Sequence, residues 1–215
     1  LIVGISGTSG SGKSTIVRRV MNLYPNRVEI PRGEDSKRPL KYVLHRDGFK
    51  PLSVFGHYET ATGGCDTITT IRQDLRVMAK EWYDKGHDIL FEGLIISAKK
   101  GVFEEIRDMG LPMYVALLDP PIEVCRAGIR QRQTDRHEAR WAKWNADRLE
   151  AEAKGKKFSK EEPVLRKEAG DYVEGYHRQN RRLLDHLRAV KVPVEHFTDR
   201  ELAFRWVAGQ FGHTV

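Results

Sequence analysis

Gly7-Thr8-Ser9-Gly10-Ser11-Gly12-Lys13-Ser14, followed by Thr15, decides how the rest of the 215-residue chain is read. It fits G-x-x-x-x-G-K-[ST], the pattern of a loop whose backbone N–H groups cradle phosphates. Leu1-Ile2-Val3-Gly4-Ile5-Ser6, just before it, is a short apolar run with the character of a buried parallel strand. Thr15-Ile16-Val17-Arg18-Arg19-Val20-Met21, just after it, carries apolar residues at helical spacing. A strand that turns through glycines into a helix points several N–H groups, and the positive end of the helix dipole, at one spot. Side chains at the glycine positions would block backbone approach to the phosphates. Lys13 is placed to reach the β- and γ-phosphates, and the Ser14 hydroxyl to ligate Mg²⁺. A nucleoside triphosphate, ATP or GTP, is the expected ligand of residues 7–15.

Outward from this loop, the chain alternates strand-like and helix-like stretches, which implies right-handed βαβ units and a parallel sheet. Arg27–Ile30 and Leu40–His45 are β-prone, with a polar surface loop between Pro31 and Pro39. Residues 51–64 read as a loop, and Asp66 or Thr67 as the cap of a helix running to about Lys85 and stopping at Gly86. In that helix Ile68, Ile71, Leu75, Met78 and Trp82 recur at three- and four-residue steps and belong to a core. Asp88–Glu92, Met113–Leu118 and Pro193–Phe197 are further strands; 103–109, the stretch after Asp119-Pro120-Pro121, 172–190 and the end through Val207 are helices. One domain over 1–215 is expected, with a basic excursion near 126–168.

Acidic residues after strands are where open α/β sheets place chemistry. Asp47 follows the second β-prone run, and it also forms an Asp-Gly turn dipeptide with Gly48. Both readings stand on spacing alone. Glu92 ends an apolar strand and is expected to organise Mg²⁺, or else to hydrogen-bond the phosphate loop. Arg126 and Arg130 are i, i+4 neighbours in an arginine-rich helix suited to a triphosphate losing its terminal phosphoryl group, or simply to solvent. His45-Arg46-Asp47 echoes a protein-kinase catalytic loop, but no Asp-Phe-Gly follows and the phosphate loop is of the other type.

The formal charge is +7, and 13 Lys/Arg against 8 Asp/Glu in 126–168 make that segment +5. Such an excess suits the triphosphate, a polyanionic acceptor, or neither. Trp141 and Trp144 sit among basic residues, a pattern for stacking on a base or for docking chain. Cys65 and Cys125 lack metal-ligand spacing and read as small buried thiols. No run approaches the ~18 apolar residues of a membrane span. The opening run is too short for a secretory signal, so a cytoplasmic protein is expected.

The chain resembles the P-loop kinases of the nucleoside and nucleotide kinase group. The resemblance rests on residues 7–14, Asp47 after a strand, Phe91-Glu92-Gly93, and Asp119-Pro120-Pro121-Ile122-Glu123-Val124-Cys125 leading into arginines. It implies a three-layer α/β sandwich: a five-stranded parallel sheet between helices, with a mobile basic lid whose arginines close over the phosphates. Arg46-Asp47 is similar to the Arg-Asp of polynucleotide kinases, whose aspartate activates an acceptor hydroxyl. The wider chain, with its basic lid, resembles bacteriophage kinases that phosphorylate 5-hydroxymethyluracil within DNA. The implied reaction is transfer of the γ-phosphoryl group from Mg·ATP to a hydroxyl. Lys13, Asp47, Arg126 and Arg130 would act in catalysis, and Ser14 and Glu92 at the metal. DNA is the implied partner; a free nucleoside or nucleotide acceptor, and an ATP-driven switch or motor subunit, are the alternatives.

Overall fold

The computed structural model describes residues 1–33, 38–60, 63–65, 71–93, 101–165 and 171–215. Seven strands form one sheet: β1 (Ile2–Gly7), β2 (Asn26–Pro31), β3 (Pro39–His45), β4 (Leu52–Phe55), β5 (Asp88–Glu92), β6 (Met113–Leu118) and β7 (Val194–Phe197). Among the described residues six helices accompany them: α1 (Lys13–Met21), α2 (Ile71–Asp84), α3 (Val102–Asp108), α4 (Ile122–Ala153), α5 (Asp171–Ala189) and α6 (Arg200–Gln210). The expected caps Asp66 and Thr67 lie outside the described residues, as does Ile68.

The strand order is β2-β3-β4-β5-β1-β6-β7. The sheet is therefore not the expected five-stranded parallel one. It has seven strands and is mixed, because β3 pairs antiparallel with both β2 and β4. The β4–β5, β5–β1, β1–β6 and β6–β7 pairs are parallel. The difference lies in Leu52–Phe55, a four-residue apolar strand inside the stretch that reads as a loop; Pro51 and the glycines beyond mask it. Together with β3 it makes a hairpin whose turn is Asp47-Gly48, where Gly48 adopts the left-handed φ of 79°.

Alternation along the strands builds a core on each face. Ile2, Ile89, Phe91, Met113, Val115 and Leu117 meet Leu75 and Ala79 of α2, Phe103 and Ile106 of α3, and Leu183, Leu184 and Leu187 of α5. Val3, Ile5, Leu90, Ala116 and Leu118 meet Ile16, Val17 and Val20 of α1 and Ala203, Phe204 and Val207 of α6. Gly4 lets α3 approach β1: a Cβ there would stand 2.8 Å from Phe103 and 3.1 Å from Phe91. Both cysteines are buried and neither is in a disulfide. Among the described residues no helix is long and apolar enough to cross a membrane.

Two poles result. The C-terminal ends of β1, β4, β5, β6 and β7 meet at one, where the chain switches from one side of β1 to the other; open α/β sheets bind ligands at such a point. The β3–β4 turn stands at the other.

Candidate active site

The glycine-rich loop leaves β1 at the first pole and enters α1 through Gly12, whose φ of 100° caps the helix in the left-handed region. Ser11 N–H donates to the Thr8 carbonyl at 3.0 Å, closing the turn. Lys13 is buried, and its Nζ donates to the carbonyl oxygens of Gly7 at 2.7 Å and Thr8 at 3.1 Å. The hydroxyls of Thr8 and Ser11 are buried with no hydrogen-bond partner among the described residues. Orphaned buried donors cost free energy. At a helix N-terminus beside a buried ammonium they are well placed for an anionic oxygen-rich ligand, which fits a triphosphate. Ser14 Oγ donates to Glu92 Oε1 at 2.7 Å. A hydroxyl and a carboxylate at this separation are hard oxygen donors of the kind Mg²⁺ takes alongside phosphates and water. Among the described residues no group of three or more His, Cys, Asp or Glu forms a metal cage.

Two helices grip the loop from outside. Gly10, at a φ of 83°, touches the Cys125 carbonyl so closely that any Cβ would collide with it. From α4, a Cβ on Gly128 would stand 2.7 Å from the Gly10 carbonyl oxygen. The face of α4 that carries Cys125, Gly128 and Ile129 continues to Arg132, whose Nη2 donates to Ser9 Oγ at 3.0 Å. Burial, and then neighbouring Arg136, lower the pKa of Arg132. From α6, Arg200 donates through Nε to the Ser11 carbonyl and through Nη2 to the Gly10 carbonyl, both at 2.9 Å. Asp199 caps that helix by accepting from Leu202 N–H at 2.8 Å.

The segment after β4 forms the side wall. Arg18 of α1 donates to the carbonyls of Tyr58 at 2.9 Å and Thr60 at 2.6 Å. His57 bridges Gly64, whose N–H donates to the His57 carbonyl at 2.7 Å. Gly64, at a φ of 100°, lies directly against the Glu92 carboxylate. Burial, and then Arg38, lower the pKa of His57. Beyond β6, Asp119 is buried, with His177 Nε2 at 3.0 Å, Arg181 Nε at 3.4 Å and His196 Nε2 at 3.5 Å. Asn180 Nδ2 donates to the neighbouring Leu118 carbonyl at 3.0 Å. Asp119 thus ties α5 and β7 to the strand ends instead of capping α4, whose N-cap is Pro121.

Not every residue singled out in the sequence meets here. Lys13, Ser14 and Glu92 do. Asp47 does not: it sits at the other pole, in the hairpin turn. Its neighbour Arg46 donates to the carbonyl of Leu23, beyond the C-terminal end of α1, at 3.0 Å. The lengths of β1 and α1 set it about 15–20 Å from the phosphate loop. The turn reading of Asp47-Gly48 is the one the structure supports. Arg126 is also turned aside, pairing with Glu174 of α5 at 2.6 Å. At ~100° per residue, Arg126 and Arg130 lie about 120° and 160° around α4 from Arg132. Only Arg132 follows Gly128 by one turn, and a glycine inside a helix was the available signal of close approach. Nothing in the sequence marked Arg200.

The Trp141 and Trp144 indoles hold returning chain: Trp141 Nε1 donates to Glu162 and Trp144 Nε1 to the Lys160 carbonyl, both at 2.9 Å. Trp144 also meets Phe158 edge-on at 5.6 Å. Both indoles thus dock chain in this fold.

The site is therefore a glycine-rich loop with a buried lysine and two arginines against it and a carboxylate–hydroxyl pair beside it. No protein-family model matches the chain. It is 42% identical over 144 residues to a 5-hmdU DNA kinase of Pseudomonas phage PaMx11, covering 66% of this chain and 70% of that protein. It is 29% identical over 144 residues to a 5-hmdU DNA kinase of Pseudomonas phage M6, covering 60% of this chain and 71% of that protein. Likeness of that extent to the first is kinship: the chain belongs to the family of the phage 5-hmdU DNA kinases.

Proposed function

We propose that this chain is a P-loop kinase that moves the γ-phosphoryl group of ATP to the 5-hydroxymethyl oxygen of 5-hydroxymethyluracil in DNA. The observation that carries the reading is the loop at 7–15, with buried Lys13 and the orphaned Thr8 and Ser11 hydroxyls, in a chain 42% identical to a kinase of that name. The parallel set β4-β5-β1-β6-β7, with helices on both faces, supports the fold half of the proposal.

In the reaction the hydroxymethyl oxygen forms a bond to the γ-phosphorus as the bond to the β,γ-bridging oxygen breaks. ADP leaves, and the hydroxyl proton is released. The transition state is loose, so positioning and charge stabilisation carry most of the catalysis. Lys13 leaves the Gly7 and Thr8 carbonyls for the β- and γ-phosphate oxygens. Arg132 stabilises charge from the α4 side, in the place given to Arg126 and Arg130 on spacing. Ser14 and Glu92 would hold Mg²⁺, which would supply positive charge against the phosphate oxygens. Arg200 and Arg18 keep the loop and side wall in register. Asp47 takes no part.

The test is transfer from γ-labelled ATP to a 5-hydroxymethyluracil duplex, the same duplex with thymine, and free 5-hydroxymethyldeoxyuridine and its monophosphate. Label on the modified duplex alone is the expected outcome. Label on small molecules alone, or phosphate release without an organic acceptor, overturns the DNA reading.

A further inference from the structure

The loop-facing stripe of α4 does not end at Arg132. At ~100° per residue, Arg136, Ala139 and Lys143 fall within about 40° of Arg132 around the helix, and Arg140 within about 80°. Gln133, Arg136, Ala139 and Arg140 line a cavity of about 530 Å³, one to two turns beyond the arginine that touches Ser9. Arg136 follows Arg132 by one turn, so this wall of the cavity stands about 6 Å along the helix from the arginine that touches Ser9.

Several cations on and just beyond this long helix are paired with carboxylates. Arg126 is neutralised by Glu174, Arg148 by Glu152, Lys154 by Glu150, and nearby Lys160 by Asp147. Arg136, Arg140 and Lys143 have no carboxylate within ion-pair distance among the described residues; Arg140 only donates to the Arg136 carbonyl at 3.4 Å. Positive charge left unpaired along a stripe that leads into a phosphate site is the footprint of a second polyanion. The volume falls within the usual range of ligand pockets. It admits about one nucleotide, not the full width of a duplex.

We infer that this cavity seats the acceptor strand, with Arg136 and Arg140 gripping the phosphodiesters that flank the modified base. The inference rests on the DNA acceptor proposed above and adds where the DNA is held. It divides the basic helix by function: Arg132 serves the triphosphate, Arg136 and Arg140 the nucleic acid.

The experiment compares wild type with R136Q/R140Q and with K156Q/K157Q, which removes the same charge from the exposed turn beyond α4. For each protein, duplex affinity is measured from 0.05 to 0.2 M salt, together with affinity for ATP and transfer to the modified duplex. R136Q/R140Q is expected to lose about 10- to 100-fold in DNA affinity at about 0.1 M salt, and nearly two units of log–log salt slope. Its ATP affinity stays within about twofold, while the control keeps its DNA affinity. Equal losses in the control would reduce the effect to net charge and overturn the inference. So would weakened ATP binding with DNA binding intact, or no change at all. If wild type phosphorylates free nucleotides and neither binds nor phosphorylates the duplex, the DNA reading itself fails and the inference with it.

Discussion

Arg132 and Asp47 lie at opposite poles of the fold, one against the glycine-rich loop and the other in a turn. Arg132 is one of six arginines between 126 and 148, and only its phase on α4 brings it to Ser9. Arg132→Gln should lower transfer by about 10²-fold, as loss of a donor to transition-state charge does. Arg126→Gln, which gives up an exposed pair with Glu174, should stay within about fivefold. Steady-state rates of the two variants on one acceptor check the order; the reverse order would return the role to Arg126. Asp47→Asn should keep turnover within about twofold, because the aspartate occupies a turn at the far pole. A loss of 10²-fold or more would contradict that placement.

Docking between elements depends on glycines that sequence shows only as interruptions. Gly128 lies inside α4, where alanine would ordinarily stabilise by about 0.5–1 kcal/mol. Here the added Cβ would sit 2.7 Å from the Gly10 carbonyl. Gly128→Ala should therefore push α4 off the phosphate loop, costing about 1–3 kcal/mol and raising the KM for ATP. A Cβ on Gly175 of α5 would meet nothing within 4 Å, so Gly175→Ala should stabilise. Denaturant titrations of the pair separate helix propensity from docking, and equal effects at both positions would refute the contact. The phosphate loop, β1, β5 and β6 were legible because each is a continuous apolar run or a fixed pattern. The side wall was not. β4 is four residues long, its role depends on pairing with distant β3 and β5, and its polarity relative to β3 decides at which pole Asp47 falls. Glu92 was legible as an acid at a strand end, yet its partner Ser14 is 78 residues away, a relation that only tertiary structure supplies.

Across the whole molecule, three buried titratable groups give stability an alkaline signature. Lys41 of β3 is almost fully buried, with its ammonium 3.0 Å from the centre of the Trp82 ring. Burial lowers its pKa to about 8. Burial raises Tyr24 and Tyr42 to about 12. Between pH 8 and 10 the unfolded chain holds a proton on Lys41 that the folded chain has released, so stability rises with pH. Above pH 10 the unfolded chain loses tyrosine protons that the folded chain keeps, and stability falls. Urea titrations from pH 7 to 11 should therefore show a maximum near pH 9–10. Lys41→Met should remove the rise and increase the Tm at pH 7 by about 2–4 °C; a profile unchanged by the substitution would discount burial of the charge.

At 32 residues, α4 is a rod of about 48 Å anchored near one end, where Gly128 meets Gly10. A rod held that way is a lever. A tilt of about 5° at the anchor, on the scale of a phosphate entering the loop, sweeps the far turns by about 2–3 Å over the remaining ~35 Å of helix. The returning chain clasped by Trp141 and Trp144 travels with the tip, so the arm moves as one stiff piece. Any tilt at the anchored end would be magnified in this way at the far end of the helix.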